Sequence, residues 1–139
     1  EPIDLFFEKL GNHSLVASST DFVGNTSATS TQFRIIATPE STISDIERAY
    51  LLGWITKKQT KNTLIARIKT LVRIEKRIEI IEEKLKNGKK KITRLEKRID
   101  KVLARAFQLE LKLYQKNKLI NEQAHKLLQE DIQWLIDNY

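Results

Sequence analysis

Lys86, Lys89, Lys90, Lys91 and Arg94 form the densest group of residues able to do more than pack. Clustered around Asn87-Gly88, their ammonium and guanidinium groups could contact nucleic-acid phosphates, anionic wall polymers or acidic glycans, with affinity falling as salt rises. No aromatic residue lies among them to stack on bases, as single-strand binders require. The competing reading is a solvated, lysine-rich bend that aids solubility.

Elsewhere the residue types do not assemble a reaction. His13 and His125 are the two histidines, and no His/Asp/Glu grouping has metal-ligand spacing. Glu82-Glu83 is an adjacent carboxylate pair, but Lys84 and Lys86 beside it make it a set of solvated helix-surface ion pairs. The glycines are scattered, so no phosphate loop is formed, and no serine sits in a nucleophile elbow. The expectation is therefore no catalytic, cofactor-binding or metal-ligating residues, no cofactor, and a chain that is not an enzyme. Trp54 and Trp134 are expected in a core rather than as sugar platforms. Asn12-His13-Ser14 and Asn25-Thr26-Ser27 match the glycosylation sequon, which has meaning only where a host glycosylates exported chains.

The basic cluster must be held by a helical hairpin. Apolar residues fall at Leu71, Ile74, Ile78, Ile81 and Leu85, then at Ile92, Leu95, Ile99, Val102, Ala106, Leu109 and Leu113. Steps of three and four are the seam of a coiled coil, and Glu, Lys and Arg fill the positions between. Two long antiparallel helices folding back at Asn87-Gly88 are predicted. The same seam could instead pair between chains, so a homo-oligomer is open.

The net charge of +7 is unevenly distributed. Residues 1–53 hold three Lys/Arg against seven Asp/Glu, whereas residues 54–139 hold 22 against 11. Such a split suggests two unlike segments, the second able to attract an anionic polymer. The absence of cysteine excludes disulfides and thiolate metal sites. No apolar run is long enough for a membrane span. The chain opens at Glu1 and contains no methionine, so it is expected to be a fragment or mature form, with any signal peptide upstream.

Alternating apolar and polar residues over 14–19 and 32–37 predict strands, joined through Asp21-Phe22-Val23-Gly24-Asn25. In that turn Gly24 can take positive φ, and Asp21 and Asn25 can bond local backbone. Pro39 biases Thr38 toward extended backbone, and a first helix is predicted from Thr42 or Ser44 to a stop at Gly53. Thr56-Lys57-Lys58-Gln59 fits a capping box opening the second helix. Leu64, Ile65 and Ile68, with Leu103, Phe107, Leu111 and Tyr114, widen the apolar faces of the long helices away from the bend. A fourth helix is predicted after Asn121, an N-cap, with Ala124, Leu127, Leu128, Ile132, Leu135 and Ile136 as its buried stripe. Trp54-Ile55-Thr56 and Leu119-Ile120-Asn121 are matching junctions, each an apolar pair followed by a capping residue.

The run from Leu10 to Asn25, with Phe33-Arg34-Ile35, resembles the tail of a bacterial immunoglobulin-like repeat. The likeness lies in a Gly-x-His-x-Leu strand, an Asp-x-x-Gly-Asn turn and a closing aromatic strand. It implies that further strands lie upstream and that Asp21, Gly24 and Asn25 shape a turn. The remainder is similar to FIMAH-type modules, small helical domains at the C-terminal ends of secreted multidomain proteins. Ala49, Leu52, Gly53, Ile55, Thr56, Leu64, Ile65, Ile120, Asn121, Ala124, Leu127 and Leu128 carry that likeness, and the charged section around Ile74–Ile99 departs from it. The resemblance implies an accessory module with no catalytic residues.

The predicted fold is mainly α. It is an antiparallel four-helix module, short–long–long–short, with an extended coiled-coil hairpin, preceded by a partial β segment. The expected division is 1–38 as a partial immunoglobulin-like β segment, 39–43 as linker and 44–139 as helical module. The expected function is a non-catalytic cap, spacer or association domain of an exported, extracellular or cell-surface protein, partnered by neighbouring domains of the same chain. Two alternatives stand beside it: a basic hairpin binding nucleic acid or wall polymer, and the non-catalytic tail of a secreted hydrolase.

Overall fold

The computed structural model describes residues 4–84 and 89–138, with side chains left out at Glu82, 89–97 and Asp100. The predicted bend at Asn87-Gly88 and the seam residue Leu85 lie outside the described residues, as do the side chains of Ile92 and Leu95. The chain divides into two compact units, Glu1–Ile36 and Ala37–Tyr139.

The first unit is a β ribbon. Strands β1 (Gly11–Thr20) and β2 (Thr26–Ile35) pair antiparallel in the register Gly11 with Ile35 and Thr20 with Thr26. The turn between them is held by one carboxylate. Asp21 Oδ1 accepts from the amides of Val23 at 3.0 Å and Asn25 at 2.9 Å, and Oδ2 accepts from Asn25 Nδ2 at 2.9 Å. Gly24 takes φ of 91°, where a Cβ would be strained. These contacts, led by the Asn25 side chain, hold the Asp21 carboxyl below its usual range. Asp21, Gly24 and Asn25 thus shape the turn in the manner predicted. Most ribbon side chains are exposed, Val16, Phe22 and Val23 included, so the sheet buries little apolar surface. Among the described residues the sheet has two strands, so each presents one edge that the β1–β2 ladder does not use.

The second unit is helical: α1 (Pro39–Leu51), α2 (Lys58–Lys84), α3 (Lys89–Lys116) and α4 (Glu122–Asn138). α1 packs on α2 and α4, and α3 packs on α2 and α4. α1 starts earlier than predicted, and the expected linker at 39–43 is its first turn. Thr38 is the cap: its hydroxyl accepts from Ser41 N at 3.1 Å, and Ser41 Oγ accepts from Thr38 N at 2.9 Å. Pro39 does not delay the helix, because its missing N–H falls where the helix has no acceptor for one.

The core draws on every helix. Ile46 and Ala49 of α1, Leu64 and Ile68 of α2, Phe107 and Leu111 of α3, and Ala124, Leu128 and Ile132 of α4 are all buried. Each fully buried large aliphatic side chain contributes roughly 1.5–3 kcal/mol. Trp54 packs against this cluster, as predicted, together with Tyr50 and Tyr114.

The seam foreseen on α3 is not the face that α3 buries. Val102, Leu109 and Leu113 are 63, 62 and 57% exposed, and Ile99 and Ala106 are exposed with them. Ala104, Phe107 and Leu111 point inward instead. The buried face combines Phe107 and Leu111 with Ala104, and Tyr114 packs against the same cluster, so this is the side that meets the other three helices. On α2, the seam residues Leu71, Ile74 and Ile78 are half-buried, whereas Ile81 is exposed.

Candidate functional site

The basic cluster foreseen in the sequence lies on and before the first turns of α3. Lys86 lies outside the described residues, and the side chains of Lys89, Lys90, Lys91 and Arg94 do too. Glu83 is exposed on α2; its neighbour Glu82 belongs with the side chains left out.

The two histidines sit in different units. His13, on β1, stacks on Phe33 across the ribbon with ring centroids 5.6 Å apart. Its Nε2–H donates to the carbonyl of Lys9, and Nδ1 lies 4.0 Å from Glu8. His125, on α4, has a buried Nε2 without a hydrogen-bond partner. Asn12 is exposed on β1; the Asn25 amide nitrogen, by contrast, is engaged by Asp21. Trp134 is half-buried on α4.

The helix junctions repeat one geometry twice. After α1, Trp54 N donates to Ala49 O at 2.9 Å and Gly53 N to Tyr50 O at 3.0 Å, with Gly53 at φ 76°. After α3, Leu119 N donates to Tyr114 O at 2.9 Å and Lys118 N to Gln115 O at 3.0 Å, with Lys118 at φ 57°. Both are Schellman ends, closed by a left-handed residue. The two junctions then bond one another through an antiparallel bridge of Ile55 with Ile120: Thr56 N donates to Leu119 O at 3.0 Å and Asn121 N to Trp54 O at 2.9 Å. Asn121 caps α4 as predicted, its Oδ1 accepting from Ala124 N at 2.9 Å. Thr56 does not head the predicted capping box. Its hydroxyl donates to Leu119 O at 3.1 Å, and Lys57, whose carbonyl accepts from Lys61 N, holds the N-cap position of α2.

Two ionisable groupings escaped the sequence reading. The first joins α1 and α4. Asp131 is 3% exposed, and its Oδ2 has no hydrogen-bond partner. Burial, then the charge of Asp45 and a hydrogen bond to it, pushes its pKa up to about 8. Asp45 is raised as well, chiefly by burial, while the hydrogen bond from Asp131 and the nearby Arg48 charge pull the other way. At neutral pH Asp131 therefore carries a proton and donates it to Asp45, since two adjacent buried carboxylates do not both ionise. Asp131 is almost wholly buried, whereas Asp45 is half-buried at the surface of α1. A signal for it did exist, because Asp131 falls on the apolar stripe of α4 between Leu127 and Leu135.

The second joins α2 and α3. Arg67 Nε donates to Glu110 Oε2 at 3.0 Å, and the Tyr114 hydroxyl donates to Glu110 Oε1 at 2.7 Å. The Glu110 carboxyl lies below its usual range; burial acts to raise it, but the Arg67 and Tyr114 contacts and the Arg67 charge prevail. Burial, followed by the bond to Glu110, pushes the Tyr114 phenol up to about 12. Glu110 and Tyr114 are i, i+4 neighbours on α3, but Arg67 joins them only once α2 and α3 pack, so the spacing announces the pair and not the trio.

Among the described residues, no group of three or more His, Cys, Asp or Glu is placed to hold a metal ion. No described helix is long and apolar enough to cross a membrane. Compared with protein-family models, curated proteins and solved structures, the chain matches none.

Proposed function

We propose that the chain is a non-catalytic accessory module of an exported cell-surface protein, acting as cap, spacer or association domain. In this reading the helices form a short–long–long–short unit whose α2–α3 hairpin extends as a coiled coil, and the ribbon belongs to a larger immunoglobulin-like sheet. The observation that carries it is the core of Ala37–Tyr139, continuous through all four helices and locked at the Ile55–Ile120 bridge. A unit with its own core serves as a terminal or intervening module. The ribbon, with open edges and little buried surface, is marginal unless neighbouring strands complete it.

The test has two parts. Residues 37–139 expressed alone are expected to unfold in one cooperative, helical transition. An antibody against the Asp21–Asn25 turn is expected to label unpermeabilised cells. Failure of the first removes the independent module, and failure of the second removes the surface location. Retention of the chain on a polyanion, abolished by neutralising Lys89, Lys90 and Lys91, would favour the anion-binding alternative.

A further inference from the structure

The outward stripe of α3 is the feature that packing within the chain leaves unexplained. Ile99, Val102, Ala106, Leu109 and Leu113 are exposed and spaced by three and four, so they form a continuous seam about 21 Å long. Its two flanks differ. On one side lie Arg98, Arg105 and Lys112, all exposed. On the other lie Leu103, half-buried, and Glu110, already bonded to Arg67 and Tyr114.

These flanks discriminate between occupants. An antiparallel second copy would set Arg98, Arg105 and Lys112 against the same basic residues of its mate. A parallel copy would oppose Arg98 to Leu103 and Arg105 to Glu110, whose oxygens are already engaged. Neither arrangement supplies fresh carboxylates to the basic flank. We infer that this stripe is the docking seam for a helix of another polypeptide, with apolar residues at heptad spacing and Glu or Asp at the flanking positions. Apolar knobs seat between Val102, Ala106 and Leu109, and the acidic flank meets Arg98, Arg105 and Lys112. Charge at flanking positions sets partner choice, as in coiled coils generally.

The inference rests on the association role proposed above and gives it a partner chemistry. It is tested on the full chain with two labelled synthetic peptides of about three heptads, both with Leu and Ile in the seam, one flanked by Glu and one by Lys. Fluorescence anisotropy is expected to show the Glu peptide binding at least about tenfold more tightly, an advantage that shrinks with salt. Val102→Asp with Leu109→Asp, at exposed sites, abolishes that binding while circular dichroism stays unchanged. Reversing Arg98, Arg105 and Lys112 to Glu transfers the preference to the Lys peptide. The inference is overturned if a folded chain binds neither peptide, or binds them equally. It is also overturned if Val102→Asp breaks up a homodimer seen by sedimentation, or if the stripe binds phosphatidylglycerol vesicles and not the peptides. A folded chain that fails these tests loses the docking seam alone, whereas a 37–139 unit that does not fold loses the module itself.

Discussion

Asp131 of α4 lies buried beside Asp45 of α1, and the two carboxyl groups hold one proton between them at neutral pH. The folded-state pKa of Asp131 is raised, to about 8, from an unfolded value near 3.8. The folded chain therefore binds the proton more tightly than the unfolded chain across that window. Stability is full below the lower value and declines as pH rises toward the upper one, by an amount of the order of a few kcal/mol. Urea midpoints measured between these limits are expected to fall with pH. Asp131→Asn, which keeps a donor toward Asp45 but cannot ionise, is expected to flatten the profile and exceed the parent at its alkaline end. An unchanged slope in that variant would rule out the shared proton.

The two Schellman ends make opposite predictions. Gly53→Ala places a Cβ in open space, so its cost, about 1 kcal/mol, is that of left-handed backbone alone. Lys118 already bears this strain, and Lys118→Gly is expected to stabilise by up to about 1 kcal/mol. Thermal melting of the two variants should move in opposite directions.

The Arg67–Glu110–Tyr114 trio is read by tyrosine titration. Tyr114 is expected to ionise at about 12, because burial and the hydrogen bond to Glu110 both oppose the phenolate. Glu110→Gln removes the negative acceptor and should draw the late near-ultraviolet transition toward the ordinary range. The stability change should stay within about 1 kcal/mol, since Arg67 is mostly exposed.

Leu109 and Leu111 lie on opposite faces of α3, and alanine at each separates the core from the outward seam. Leu111→Ala should cost about 2–5 kcal/mol, and Leu109→Ala no more than about 0.5 kcal/mol, in denaturant unfolding. Equal costs would mean that the seam is covered within the chain.

What the sequence conveys well here is punctuation. Gly53, Asn121 and Asp21-x-x-Gly24-Asn25 act within a few residues of themselves, so their chemistry is visible locally. The coarse fold, mainly α with a small β segment, followed from the same local signals. Where two faces of α3 both carry apolar residues, periodicity marks both, and only packing decides which one is buried. Phe107 and Leu111, on the widened face that the spacing predicts, occupy the core, whereas Val102 and Leu109 of the regular seam are exposed. The extended backbone that Pro39 imposes on Thr38 is also the backbone of an N-cap, so the same signal fits a helix that starts at Pro39. Asp45 beside Asp131 depends on the docking of α1 against α4, which no local spacing encodes.

The Ile55–Ile120 bridge has a bearing on how the chain can change over generations. It ties α2 and α3 together at their roots, and among the described residues the buried core reaches outward to Ile68 on one and Ala104 on the other. The described residues farther out are half-buried or exposed. Paired insertions or deletions of whole helical turns beyond Ile68 and before Ala104 would therefore alter length while sparing that buried core. The lengths of α2 and α3 are thus adjustable, in whole turns, at little cost in stability.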